Sequence, residues 1–350
     1  MSTPCLPTPG IEVLKPGLLD SVQDQGRPGQ AAIALSRGGA MDRTALALAN
    51  ALVGNAVHAA GLEITGPGPR LRIECDAWIA SVGARHGLVC QRAESSARER
   101  LPLGRPVFVS AGSVLHWQAP QTGWRSWLAV AGGLDLPVLL GSRSAHLAAG
   151  IGPSRLAAAD RLPLIAGAAD LARARAAAVL GRVAAPQGGS WPSWHIAETL
   201  PRDWPQIELP VLAGRHLHLL AEPVREALLQ QTWTVSPQSN RQGLRLSGAA
   251  LSTHALPHLA SEPVSFGTVQ LPPAGEPVIL LAEHQTTGGY PRVLEVASAA
   301  ESLLAQAGAS CRVRFRLIDL DEADRLAVRQ AAEFSRRLEG IRQACGVQPA

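Results

Sequence analysis

Lysine and tyrosine each occur once in this sequence, as Lys15 and Tyr290. The single lysine excludes two common mechanisms. A GxxxxGK(S/T) phosphate loop cannot form, because Lys15 is followed by Pro16 and lacks the glycine frame. A Schiff-base lysine could only be Lys15, and its VLKPG setting offers no helix or apolar pocket to depress its pKa. Any phosphate chemistry therefore falls to arginines, backbone N–H groups or the residues of a partner. Cysteines number 5 and show no CxxC pair, which argues for free thiols in a reducing compartment and against a zinc ribbon. Aromatic residues make up 4%, so the core is built mainly from Leu, Val, Ile and Ala. No apolar run approaches the ~18 residues of a membrane span; LAVAGGLDLPVLL is broken by Asp135 and Pro137. The opening MSTPCLPTPG lacks the charged-then-apolar order of a signal peptide. The expectation is a soluble, cytoplasmic protein with no membrane association. The net charge of +4 is spread among interleaved acids, with no basic cluster, so nucleic acid is not expected as a partner.

What the chain has in plenty is glycine (34) and proline (27), beside 46% hydrophobic residues. That composition is globular and turn-rich. At 350 residues one core is too small, so two domains are expected, 1–200 and 201–350, joined through an Ala/Pro/Trp-rich stretch carrying Trp191, Trp194 and Trp204. Short alternating runs at 70–83, 106–118, 126–133 and 311–320 predict a mainly β chain of sandwich or barrel type. In the last run Val313, Phe315 and Leu317 should share one face, opposite Arg314, Arg316 and Ile318. Few helices are expected. One is capped by Asp42 and closed by Gly54, one, AAESLLAQAG, has Ser298 as its cap, and an amphipathic packing helix runs from about Asp321 to Cys345.

Four segments carry polar and glycine residues that a fold alone would not require. SVQDQGRPG (21–29) sets Asp24 three residues before Arg27, and Pro28 biases Arg27 to an extended geometry that would project its guanidinium outward. A local Asp–Arg pair tightening a hairpin is the plain alternative. RGGAMD (37–42) places glycines before a helix start, where exposed N–H groups could hold an anion. A plain capped helix is the other reading. TVSPQSNRQGLRL (234–246) has more polar residues than a turn needs and ends in a pattern suited to a carboxylate or phosphate, or it is a solvated loop. LAEHQTTGGYPRV follows the strand-like VILLA (278–282), and its double glycine lets backbone approach a ligand, or it is a hairpin with a half-buried tyrosine. His216, His218, His254 and His258 have ligand-like spacing, but Pro257 spoils the helical pair and no metal site is expected.

Read together, SVQDQGRPGQ, GGAMDRTALALANALVGN, LEITGPGPRLRIE, WLAVAGGLDLPVLLGSRS, VSPQSNRQGLRLSG and AEHQTTGGYP resemble the biotin-dependent carboxyltransferase-like family, also called allophanate hydrolase subunit 2-like. The resemblance covers roughly residues 11–320. Its freestanding members include the C subunit of 5-oxoprolinase and the antagonist of a sporulation-kinase inhibitor, and the same module forms the carboxyltransferase part of urea carboxylase. The resemblance implies a mainly β fold with two cyclophilin-like β-barrel domains and an obligatory partner chain. It also places Tyr290 in a Gln-Thr-Thr-Gly-Gly-Tyr-Pro signature, here Gln285 to Pro291. Three departures stand out. His284 replaces the usual arginine, VLAGRH (211–216) replaces LPGPQ, and AGIGPSRL (149–156) replaces a Gly-Gly-Phe-Gly-Gly-Arg stretch. A histidine at 284 would hold an anion only when protonated.

The reading this implies is one component of an ATP-dependent 5-oxoprolinase, which opens 5-oxoproline to glutamate. The chain would be inactive alone and would work with A-like and B-like partners of the 5-oxoprolinase complex. Asp24, Glu283 and Tyr290 are the expected catalytic residues. Gln23, Arg27, Ser239, Asn240, Arg241, His284, Gln285, Thr286, Thr287, Gly288 and Gly289 are expected to bind a small lactam or amide. Gly39, Met41 and Asp42 are expected at the ATP, on this chain or shared with a partner; biotin is not expected on this chain. The alternatives are carboxyl transfer from carboxybiotin to urea or a related amide, and a regulatory role in which the chain binds a kinase-inhibitor-like partner.

Overall fold

The computed structural model describes residues 9–93, 97–168, 170, 191–197, 204–254 and 259–345. Glycine and proline turns cut the first half into short strands. These are β1 (Gly10–Lys15), β2 (Leu19–Gln23), β3 (Gly61–Thr65), β4 (Arg70–Ile73), β5 (Ala77–Gly83), β6 (His86–Gln91), β7 (Arg98–Arg100), β8 (Val107–Val109), β9 (Val114–Pro120), β10 (Arg125–Val130) and β11 (Arg161–Pro163). They form a six-stranded sheet in the order β11-β1-β4-β9-β6-β7 and a five-stranded sheet in the order β2-β3-β10-β5-β8. Ile11, Leu71, Leu115 and Trp117 of the first share a core with Leu62, Ile64, Ile79 and Leu128 of the second.

The second half supplies β12 (Gln206–Ala213), β13 (Trp233–Val235), β14 (Gly243–Ser247), β15 (Glu262–Pro263), β16 (Thr268–Gln270), β17 (Val278–Leu280), β18 (Thr287–Gly288), β19 (Arg292–Val296) and β20 (Arg312–Leu317). Seven of them close a barrel in the order β12-β19-β16-β17-β14-β13-β20, and β15 pairs with β18 outside it. The chain is thus mainly β. Its described helices are α1 (Arg43–Leu52), α2 (Glu222–Gln230), α3 (Glu301–Gln306) and α4 (Leu320–Cys345). None of them is long and apolar enough to cross a membrane.

The expected cap of α1 is present: the Asp42 side chain accepts from Ala45 N at 2.9 Å. Two local expectations are corrected. Ser298 opens a 3-10 turn, and α3 starts after Ala300 with no side-chain cap. In β20 Val313 and Phe315 are buried as predicted, but Leu317 is exposed and Ile318 is buried. The reason is that β20 ends at Leu317, and Ile318 donates its N–H to Val211 O as the chain turns into α4. The long α4 packs more lightly than its pattern implied: Ile341 is its one buried residue, with Phe334 and Leu338 half-buried and Ala332 exposed.

A single larger core joins the halves. Leu46 and Leu52 of α1, with Trp78 and Trp127, belong to the same apolar cluster as Leu209, Val211, Leu304 and Ile341. Trp194 and Trp204 pack on this cluster, while Trp191 packs on the core between the two sheets. Most of the stretch expected to separate the domains, 171–190 and 198–203, lies outside the described residues.

One buried acid gives the first half a pH dependence. Asp20 of β2 accepts the Gly17 N–H at 2.6 Å, and burial pushes its carboxyl up to about 7 despite that bond. A raised carboxyl pKa favours the folded state while the group is protonated. That advantage is complete below the ordinary value of 3.8 and is lost as the pH rises toward 7. Asp20→Asn keeps an acceptor for Gly17 without the titration. In thermal melts across pH 4 to 8, the variant should gain on the parent as the pH rises; parallel curves would show that Asp20 does not titrate in this window.

Candidate functional site

The four polar segments converge where the sheets of the first half meet the barrel. Gly26 and Gly39 have φ of +79° and +83°, and a Cβ on Gly39 would fall 2.6 Å from Gly26 N. Two glycines therefore let QDQGRPG and RGGAMD lie against each other. Ladder bonds from Leu281 N to Gln242 O and from Glu283 N to Arg241 O set the third segment beside the fourth.

At the centre lies a buried charge cluster. Arg241, 3% exposed, donates through Nε to Glu283 Oε1 at 2.5 Å, through Nη2 to Gly39 O at 2.5 Å and through Nη1 to Glu63 Oε1. Glu63, on β3, also accepts from Met41 N at 2.7 Å and from Trp127 Nε1 at 3.2 Å, with Arg125 Nε 3.7 Å away. The other Glu283 oxygen accepts from Ala148 N at 2.9 Å. Burial alone would lower the Arg241 pKa, but the two carboxylates and their hydrogen bonds outweigh it and the net direction is up. Arg125 is pushed down to about 10 by burial, with Glu63 opposing.

The structure corrects the expected outward projection of Arg27. Its side chain is 0% exposed and donates to Leu139 O at 3.0 Å and Ser144 O at 2.5 Å, because the 139–144 loop folds over it. Asp24 pairs with that same loop and not with Arg27. It accepts from Ser142 Oγ at 2.6 Å, Ser144 Oγ at 2.5 Å and Arg143 N at 2.6 Å. Gln23 is buried on Ser21 Oγ and Ala145 O. The RGGAMD segment is equally occupied. Gly38 N donates to Ala282 O, Ala40 N to Asp24 O and Met41 N to Glu63, Gly39 O accepts from Arg241, and the buried Asp42 caps α1. These donors and acceptors serve the seam between the halves, so the segment does not fit the phosphates of a nucleotide.

Above the seam the same two loops turn their outward residues onto a pocket of about 250 Å³. Asn240, Arg245, Gln270, Gln285 and Tyr290 line it, with no carboxylate in the lining. One-residue alternation sets Arg241 inward between Asn240 and Gln242, which face the pocket. In the other loop a turn closed by His284 N on Leu281 O lies between the buried Glu283 and the pocket-lining Gln285 and Tyr290. Tyr290 is 49% exposed. Gln270, 2% exposed, accepts from Gln285 Nε2 at 3.2 Å, and its own Nε2 has no partner. A buried amide donor left unpaired in a pocket wall is what an absent acceptor would satisfy. Gly288 makes room for it, since a Cβ there would sit 2.5 Å from Gln270 Nε2.

The other expected residues shape these loops. Asn240 Oδ1 accepts from Gln242 N and Gly243 N, and Ser239 Oγ accepts from Arg245 N. Thr287 and Gly288 pair with Pro263 and Glu262, Thr286 O accepts from Val264 N, and Gly289 lies against Leu259. His284 Nδ1 contacts Gln285 O, and burial lowers its pKa, so the cationic form that could replace an arginine is disfavoured. Sequence reasoning misses Gln270 and Glu63. Each stands at the polar position of a regularly alternating strand, FGTVQLP and GLEIT, where a solvent-facing side chain is the ordinary reading, so the pattern does not signal that both are buried. The described residues contain no group of three or more His, Cys, Asp or Glu able to hold a metal.

The profile of the carboxyltransferase domain, subdomains A and B, matches residues 33–317. The chain belongs to this carboxyltransferase domain family. Among its relatives, the 5-oxoprolinase C subunit of Escherichia coli is 34% identical over 89% of this chain and 93% of its own length. The protein of the same name from Haemophilus influenzae is 29% identical over 90% and 94%. The crystal structure of the Kluyveromyces lactis urea carboxylase superposes with a TM-score of 0.78 at 26% identity, covering 95% of this chain and 30% of that one. The K. lactis urea amidolyase structure gives the same TM-score and identity over 94% of this chain and 20% of that one. Within this carboxyltransferase family the chain is thus similar along nearly its whole length to freestanding subunits, and similar to one section of the larger urea enzymes.

Proposed function

We propose that the chain is a subunit of an ATP-dependent complex that opens the lactam of 5-oxoproline to glutamate. The observation that carries this reading is the match with the C subunit of 5-oxoprolinase along nearly the full length of both chains. The pocket chemistry agrees with it. 5-Oxoproline is a flat five-membered lactam bearing a carboxylate, small enough for about 250 Å³. Arg245 offers a cation for the carboxylate. The free Gln270 N–H and the Tyr290 hydroxyl offer donors for the ring carbonyl, and the Gln285 side-chain oxygen offers an acceptor for the ring N–H. A donor aimed at the carbonyl gains strength as charge develops on that oxygen. The role of this chain is to bind and orient the lactam in a site of amides and one arginine. ATP use belongs to the complex, and no step is assigned to Gly39, Met41 and Asp42, whose polar groups are already engaged.

Carboxyl transfer to urea or a related amide is the second reading, favoured by the structural likeness to urea carboxylase. Reconstitution separates the two. Phosphate and glutamate release from 5-oxoproline should require this chain together with its A-like and B-like partners. Tyr290→Phe, an exposed hydroxyl lost without cavity, should lower turnover while leaving assembly intact. Equal turnover without the chain would overturn the lactam reading, and carboxyl transfer from carboxybiotin to urea would then be measured on the same preparation.

A further inference from the structure

The outer face of the six-stranded sheet carries two cross-strand rows of charge that are balanced in opposite ways. In one, Arg161, Glu12 and Arg72 are aligned through the β11-β1-β4 register. Arg72 bonds Glu12 at 2.5 Å and Arg161 bonds Glu74 at 2.6 Å, so each cation has its acid. In the next row Lys15 pairs with Arg70, and Arg70 pairs with His116. No acidic side chain among the described residues forms an ion pair with any of these three. Neighbouring strands lie about 4.8 Å apart, so the row brings three basic groups within about 10 Å. Like charges directly opposite on a sheet destabilise it. Burial, then Arg70, Arg98 and Lys15, push the His116 imidazole down, so that side chain feels the uncompensated field.

The row is not on a flat surface. Lys15, Arg70 and His116, with Gln118 and the exposed Leu18, line an open depression of about 480 Å³ with no acid in its wall. It lies on the first half, formed by residues 15–18, 67–70 and 116–119, and shares no residue with the pocket of Tyr290. We propose that this depression is a binding site for a small multivalent oxyanion, held by Lys15 and Arg70 with His116 as a third donor. Two closely spaced fixed cations and an imidazole suit adjacent oxyanion groups, as in a diphosphate or a polycarboxylate. The proposal is independent of the lactam reading.

The single lysine makes the test direct. In protein grown with 15N,13C-lysine, Lys15 is the only labelled side chain, so its signal reports this depression alone. Pyrophosphate, and separately citrate, is titrated at ionic strength held constant with sodium chloride. A saturable shift of the Lys15 signal is expected, with about tenfold weaker binding in Arg70→Ser, the loss of one charge-assisted contact. Saturation by pyrophosphate alone would assign the site to phosphate-bearing ligands, and saturation by citrate as well would assign it to oxyanions generally. A shift that chloride reproduces, or one untouched by Arg70→Ser, would overturn the proposal. Arg70 is exposed, so the variant should fold as the parent does.

Discussion

Replacing Arg241 by methionine should cost about 3–5 kcal/mol of stability, because two buried carboxylates lose the cation they share. The guanidinium contacts Glu63 from the first half, Glu283 from the second, and the Gly39 carbonyl. All three side chains of that triangle are 1–3% exposed, so water cannot take over the contacts. Lysine should not rescue, since an ammonium cannot reproduce a planar fork to three acceptors. Urea unfolding of the purified chain measures the loss. Adding Glu63→Gln to Arg241→Met removes one orphaned charge and should return part of the stability, with the two effects clearly non-additive. A loss below about 1 kcal/mol for the single substitution would mean that the cluster is not what holds the seam.

Gly288→Ala should lower kcat/KM of the reconstituted complex about 100-fold, with stability changed by less than about 1 kcal/mol. The new methyl would sit 2.5 Å from Gln270 Nε2 and 3.2 Å from Gln285 Nε2, so both pocket amides must move. The backbone itself is unstrained, because Gly288 is not among the residues with positive φ. Gly289→Ala is the internal control. Its nearest neighbour would be Leu259 O at 3.2 Å, away from both amides, and its effect should be much smaller. Steady-state kinetics on the two variants decides the matter. Equal activity in parent and Gly288→Ala would remove this pocket from the reaction.

Much of the architecture is legible because it is written in local patterns. Alternation in RLRIECDAWIASVG marks β4 and β5, and Asp42 ahead of an apolar run marks α1 with its cap. The polar segments can be picked out for the same reason, as they interrupt patterns that a core would continue. Direction cannot be read. Whether Arg27 faces solvent depends on the 139–144 loop, more than a hundred residues away, closing over it. The split between Arg241, buried in a charge cluster, and Asn240, facing a pocket, is a matter of one step in register. Gln270 escapes notice because its significance lies in a hydrogen bond it lacks, and no sequence pattern reports that.

The charge triangle also ties together the histories of three distant positions. Glu63, Arg241 and Glu283 come from separate strands and loops, yet losing one strands the formal charge of the others inside the protein. Single changes at any of them are then disfavoured, and paired changes that leave no buried charge without a counter-charge are the ones that preserve the seam. Among descendants of this chain, the three positions should drift together or stay fixed, whatever happens to the substrate pocket above them.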